Sequence, residues 1–240
     1  MRKQHLFYKG MRLVHKIQGK RCIHFLHIRK TGGTAIRYAL QGCVSKRYVV
    51  SLHGHGVKLR DLPRGEGVIF FVRDPVTRFV SGFYSRKREG RPRHYSPWRP
   101  GEEQAFSNFS SPNELAVALS SKDREERLRA IDAMENISHL SSHYWDWFES
   151  EEYFRSRLSD IFFIGFQETL NEDFERLKAK LGLIYDATLP TDATKSHRTP
   201  LNFDRTLNAT AIRNLRNWYR EDYEFVSLCQ EIEGRAVVEI

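Results

Sequence analysis

The sequence predicts an α/β fold with a central parallel sheet flanked by helices, and three observations carry that expectation. Four short apolar runs alternate with amphipathic, helix-period segments. Each run is rich in Val, Ile or Phe, as buried parallel strands are. At 240 residues the chain can bury a full core, and the length suits one α/β domain better than two.

The runs are Cys22–Ile28, Tyr48–Leu52, Val68–Val72 and Ile161–Phe166. A helix is predicted over Thr34–Gln41 after the first, Pro75–Lys87 after the third and Thr169–Leu181 after the fourth. A further helix, Ala209–Gln230, closes the chain. Two segments interrupt the alternation. Arg86–Pro100 is loaded with Arg and Pro and reads as a loop, while Ser110–Trp147 reads as helical, with Ser111-Pro112-Asn113-Glu114 as its start. There is no internal repeat and no linker. The expectation is one domain over 1–240, with a basic N-terminal extension at 1–20 and a variable insertion at 86–150.

Lys plus Arg number 39 against 30 Asp plus Glu, a net charge of +9 that calls for an anionic partner. Nucleic acid, a membrane surface, a nucleotide and an acidic glycan satisfy that equally. Cys22, Cys43 and Cys229 are widely spaced without a CxxC pair, which argues against a disulfide framework or structural zinc. Leu6 to Val14 is broken by Lys9 and Arg12, and no stretch has the length and apolarity of a signal-peptide core or a membrane span. A cytoplasmic protein without a membrane span is expected.

The first run leads into Arg29-Lys30-Thr31-Gly32-Gly33-Thr34 and then a helix. A strand, a glycine turn and a helix N-terminus gather backbone N–H groups around a phosphate. Gly32 and Gly33 allow the turn and a close approach of ligand to backbone. Thr34 is expected to cap the helix and offer its hydroxyl to the same phosphate, with Lys30 as a point charge. The lysine precedes the glycines, opposite to an ordinary ATP-binding P-loop, and this argues against an ATPase or kinase.

The third run ends in Arg73-Asp74-Pro75-Val76-Thr77-Arg78-Phe79-Val80-Ser81. Arg73 falls at the carboxyl end of a strand, Pro75 suits a first helical turn, and Ser81 lies two turns along. Arg73 and Ser81 can hold an anion from two sides. The competing reading has Asp74 capping the helix and Arg73 or Arg78 in a salt bridge. Between the two motifs lies His53-Gly54-His55. Imidazole suits proton abstraction near neutral pH. A His-x-His pair can also bind metal, but no third ligand lies nearby in sequence, and no metal is expected.

KTGGT, HGH and RDPxxRFxSxFY in this order resemble the nucleotide motifs of carbohydrate sulfotransferases, most of all the heparan sulfate 2-O-sulfotransferase group and its bacterial relatives. The resemblance implies a P-loop-like, three-layer fold and 3′-phosphoadenosine 5′-phosphosulfate as donor, with adenosine 3′,5′-bisphosphate as product. It implies that Arg29, Lys30 and the loop Thr31–Thr34 hold the 5′-phosphosulfate, and that Arg73 and Ser81 hold the 3′-phosphate. It implies that His55 is the base and that His53 orients it or shares its role. Lys195-Ser196-His197-Arg198 resembles the late basic loop of these enzymes, which makes Ser196, His197 and Arg198 nucleotide contacts. The likeness covers most of Cys22–Cys229 and is weakest over Arg86–Asp160.

On the acceptor side, Arg86–Pro100 carries six Arg or Lys residues with His94, Tyr95 and Trp98 interleaved. Arg91, Arg93, Tyr95 and Trp98, with Tyr144 farther on, are the candidate contacts to a hydroxyl acceptor, for which the resemblance favours a carbohydrate; the competing readings are a solvated loop for 86–100 and core packing for Tyr144. A nucleotide kinase would need a glycine-lysine-serine or glycine-lysine-threonine order and a carboxylate for magnesium. A non-enzymatic polyanion binder would explain the charge but not the three motifs in succession. No nucleic-acid partner is expected.

Overall fold

The apolar runs form the strands. In the computed structural model these are β1 Arg21–Phe25, β2 Tyr48–Leu52, β3 Gly67–Val72 and β4 Ile161–Phe166. All neighbours pair in parallel, in the order β2-β1-β3-β4. β1 is shorter than the apolar run predicts. Leu26 still donates its N–H to the Ile69 carbonyl at 2.8 Å, but Leu26–Ile28 lie beyond the strand while remaining buried. The structure describes residues 19–185, 187–192, 194, 195, 200 and 203–236. These divide into two compact units, a sheet unit (residues up to 28, 32–72 and 147–190) and a helical unit (29–31, 73–146 and 191 onward).

In the sheet unit, alternation along the strands sends Ile23, Phe25, Ile69, Phe71 and Phe163 to one face. There they bury Ile36, Ala39 and Leu40 of α1 (Gly33–Leu40). Phe174, Leu177 and Leu181 of the helix that follows β4, Leu170–Leu181, pack on the same face. The opposite face carries Phe70, whose ring lies 4.7 Å from Phe148 and 6.1 Å from Phe154. Helices thus cover both faces of an all-parallel sheet, the α/β arrangement predicted. Chain order reverses across the sheet between β1 and β3, so the carboxyl ends of these two strands form a switch point, where open α/β sheets bind ligands.

The helical unit begins after β3. Its α2, Pro75–Lys87, starts as the sequence reads: Asp74 accepts the Thr77 N–H at 2.8 Å and Pro75 occupies the first turn. The segment expected to be helical over Ser110–Trp147 is several short helices. α3, Glu102–Asn108, precedes it, and along it lie α4 Pro112–Ala118, α5 Arg124–Asn136 and the single turn α6 Trp145–Phe148. α7 (Glu151–Arg155) and α8 (Leu170–Leu181) belong to the sheet unit. The closing helix is two, α9 Ala209–Trp218 and α10 Arg220–Ile232, broken at Tyr219, whose hydroxyl donates to the Leu140 carbonyl at 2.8 Å. Phe79, Phe83, Phe106, Leu115, Met134 and Leu215 form the core of this unit. No helix among the described residues is long and apolar enough to cross a membrane.

Arg86, where the predicted helix and the predicted loop overlap, lies in the last turn of α2 and is buried. Its guanidinium donates to Glu102 through Nε at 2.8 Å and Nη2 at 2.5 Å. Glu102, fully buried, also accepts the Arg99 N–H at 2.8 Å and the Ser138 N–H and hydroxyl at 3.1 and 3.0 Å. Substituting Glu102→Ala takes the carboxylate from a buried guanidinium that otherwise donates to Ser96 and Pro97, and leaves two backbone donors without their acceptor. The expected cost is about 3–5 kcal/mol, read as a lower urea midpoint at unchanged slope.

Candidate active site

The loop after β1 holds its shape against backbone preference. Lys30 has φ 66° and Gly32 φ 83°, two left-handed residues separated only by Thr31. For a lysine that conformation is unfavourable by about 1–2 kcal/mol, and such residues cluster at binding sites. Gly32 rather than Thr34 is the N-cap of α1, without a side-chain capping bond, so the Thr34 hydroxyl has no capping role. Gly33 is needed for a different reason from the one expected: a Cβ there would run into the ring of His27. The space it vacates is filled by imidazole.

That ring belongs to a cluster of four histidines in the sheet unit. His27 accepts from Arg37 Nη1 at Nδ1, 3.4 Å away, and its ring centroid lies 3.8 Å from that of His55. His55 is exposed, and its Nδ1 lies 2.9 Å from the His27 carbonyl oxygen. A carbonyl only accepts, so Nδ1 carries the hydrogen and the lone pair of the neutral ring is on Nε2. Trp147 Nε1 donates to the His55 carbonyl at 3.0 Å and fixes the turn from its other side. His53 is half-buried, with Nε2 2.9 Å from Nδ1 of His24, while His24 Nε2 lies 2.7 Å from Glu66. The two histidines of HGH are thus held separately, each by a different histidine of the β1 segment.

In the helical unit, Arg73 is gripped by its backbone. The buried Tyr144 hydroxyl accepts the Arg73 N–H at 2.8 Å and donates to the Arg73 carbonyl at 2.6 Å. Tyr144, a candidate acceptor contact with core packing as the stronger alternative, is fully buried and braces Arg73. The Arg73 side chain donates through Nε to the Thr77 hydroxyl at 2.9 Å and through Nη1 to the Lys30 carbonyl at 3.4 Å. Ser81 lies one turn beyond Thr77 on α2 and is half-exposed. Lys30 is half-buried. Burial, then the nearby Arg88 and Arg73 cations, push its ammonium down to about 7. Arg29 donates through Nη1 to the Ser142 hydroxyl at 3.1 Å, and Thr31 is buried.

The arginine-rich loop is partly committed. Arg93 donates to the Lys195 carbonyl at 2.8 Å and Trp98 Nε1 to the Arg86 carbonyl at 2.9 Å. Arg91 lies 4.6 Å above the ring of Tyr95, and both residues are exposed. Ser196, His197 and Arg198 lie outside the described residues. Sequence reading missed Thr77, Arg88, His24, His27, Arg37 and Glu66. The one available signal was His24-Phe25-Leu26-His27, two imidazoles in an otherwise apolar run just ahead of the loop.

Comparison with known families gives one match. The family model described as the sulfotransferase family covers residues 15–226 of the chain. No curated protein matches it.

A lysine near neutrality beside two arginines regains its proton when an anion arrives, so anion binding takes up a proton above that midpoint. Inorganic sulfate, which does not titrate here, is expected to bind about tenfold more weakly at about pH 8 than at about pH 6. Lys30→Arg should flatten the dependence. A fluorescence titration of both proteins over this range checks it, and a flat wild-type profile would contradict it.

Proposed function

Because the chain belongs to the sulfotransferase family and is a sulfotransferase, we propose that its donor is 3′-phosphoadenosine 5′-phosphosulfate and its acceptor a carbohydrate hydroxyl. The observation that carries the donor reading is the Lys30 ammonium, half-buried beside Arg73 and Arg88 on a left-handed backbone. Such a concentration of like charge is relieved by an anion of high charge. In this reading Arg29, Lys30 and the Thr31–Thr34 segment hold the 5′-phosphosulfate. Arg73 and Ser81 hold the 3′-phosphate, and Thr77 keeps the Arg73 fork oriented. Ser196, His197 and Arg198 are further nucleotide contacts in the same reading.

The chemistry is an in-line displacement at sulfur. The acceptor oxygen forms a bond to sulfur as the bond from sulfur to the bridging oxygen of the 5′-phosphate breaks. The hydroxyl proton passes to Nε2 of His55, the nitrogen left with a lone pair by the bond of Nδ1 to the His27 carbonyl. Lys30 stabilises charge growing on the bridging and sulfuryl oxygens, the dominant kind of help in transfers of this type. No step of this scheme calls on a metal ion. The exposed pair Arg91 and Tyr95, a cation over an aromatic ring, supports an anionic sugar as acceptor, with Arg93 and Trp98 alongside in sequence.

A screen of sulfur-labelled donor against mixed glycans and small alcohols identifies the acceptor. With it, His55→Ala should bind adenosine 3′,5′-bisphosphate like the wild type yet transfer at least about a hundredfold more slowly. Normal turnover by that variant would overturn the assignment of the base.

A further inference from the structure

His24 sits in β1, an interior strand of the sheet, and is 7% exposed. A histidine at such a position is most simply satisfied by backbone carbonyls or water. Here both ring nitrogens meet ionisable side chains: Nε2 lies 2.7 Å from Glu66 Oε2, and Nδ1 lies 2.9 Å from His53 Nε2. The two rings are nearly parallel, at 22°, with centroids 5.1 Å apart. Glu66, in the turn before β3, is half-buried at the far end.

Hydrogen-bond polarity follows from one end. A carboxylate only accepts, so His24 Nε2 carries a hydrogen. With that as the only hydrogen on the ring, His24 Nδ1 accepts from His53 Nε2, which leaves the lone pair of His53 on Nδ1. We propose that Glu66 and His24 are a proton relay behind His53, fixing its tautomer and receiving the proton it takes up. This rests on the reading of His53-Gly54-His55 as the base-bearing turn, and it gives His53 a share in that role.

The step balances without any outside reagent. In turnovers where His53 rather than His55 takes the acceptor's proton, that proton enters at His53 Nδ1 and the Nε2 hydrogen of His53 moves to His24 Nδ1. The Nε2 hydrogen of His24 moves to Glu66 Oε2. One proton has entered, both rings are neutral again, and the carboxylate has become a carboxylic acid. The groups facing His53 make this route preferable to a simple imidazolium. Burial, then His24 and Arg37 of α1, push its titration down to about 4, so a cation held on that ring is disfavoured. Moving the charge change to Glu66 avoids it. His24 and Glu66 are positioning residues, since they act through His53.

Long-range nitrogen–proton spectra of the histidine rings in the full chain test the relay without any acceptor. In the wild type at neutral pH, His53 should be a single tautomer with hydrogen on Nε2. Glu66→Gln keeps the shape but accepts no proton, and its amide can also donate. It should turn His53 into a mixture of tautomers and slow sulfuryl transfer about a hundredfold, with bisphosphate affinity unchanged. Glu66→Asp should restore the single tautomer. His24→Gln cuts the same chain and gives the same readout should Glu66→Gln not fold. A His53 that keeps one tautomer in both Gln variants would overturn the proposal. That outcome is distinct from failure of the base-bearing-turn reading, which shows as normal turnover when His53→Ala and His55→Ala are combined, whatever the spectra say.

Discussion

The buried guanidinium of Arg78 organises the helical unit's part of the site. It donates to the Arg29 carbonyl at 3.3 Å, to the Ser142 carbonyl at 2.6 Å and to Asp222 at 3.4 Å, and it lies 4.5 Å above the Tyr144 ring. Asp222, with no exposure, also accepts the Tyr144 N–H at 2.6 Å and holds His143 at 2.7 Å. A buried charge is tolerable only when its hydrogen-bonding groups are met, and here backbone carbonyls of two distant segments help meet them. Its satisfaction requires that Arg29 precede Lys30 at one defined place and that Tyr144 be locked. Tyr144 in turn holds Arg73 by both its N–H and its carbonyl. One internal arginine thus fixes the backbone at Arg29 directly and at Arg73 through Tyr144.

The sheet unit solves a matching problem with imidazole. β1 and its extension supply His24 and His27, one for each histidine of the turn after β2. Parallel pairing of β1 with β2 in the register Phe25 to Leu52 brings these segments alongside each other, and His53 N–H donates to the Phe25 carbonyl at 3.2 Å. The hydrogen-bond partners then choose different nitrogens, Nε2 of His55 and Nδ1 of His53, to carry the lone pairs. The absence of a Cβ at Gly33 makes room for the His27 ring, so the glycine turn serves the histidines.

Much of this was legible in the sequence where local rules dominate. Apolar runs gave the strands to within a few residues, and Asp74-Pro75 marked a helix start that the structure realises as a capped first turn. Motif order pointed to the family. Less legible were features set by partners far away in the chain. Arg86 looks like part of a solvated basic loop until Glu102 is found to bury it. Tyr144 looks like a cleft aromatic until its hydroxyl is found on Arg73. Helix propensity runs through Tyr219, whose backbone departs from helical angles between α9 and α10. His24 and His27 sit within an apolar strand pattern, where periodicity reports burial and says nothing of which side chains share a proton.

The central claim is a donor nucleotide with two separate anionic ends, one addressed by Lys30 and the other by Arg73 and Ser81. Calorimetric titration of the protein with adenosine 3′,5′-bisphosphate and with AMP tests it most directly, because the two differ only in the 3′-phosphate. A charged hydrogen-bonded contact to that group is worth about 1.5–3 kcal/mol, so the bisphosphate should bind at least about tenfold more tightly. Equal affinity for the two nucleotides would contradict the account.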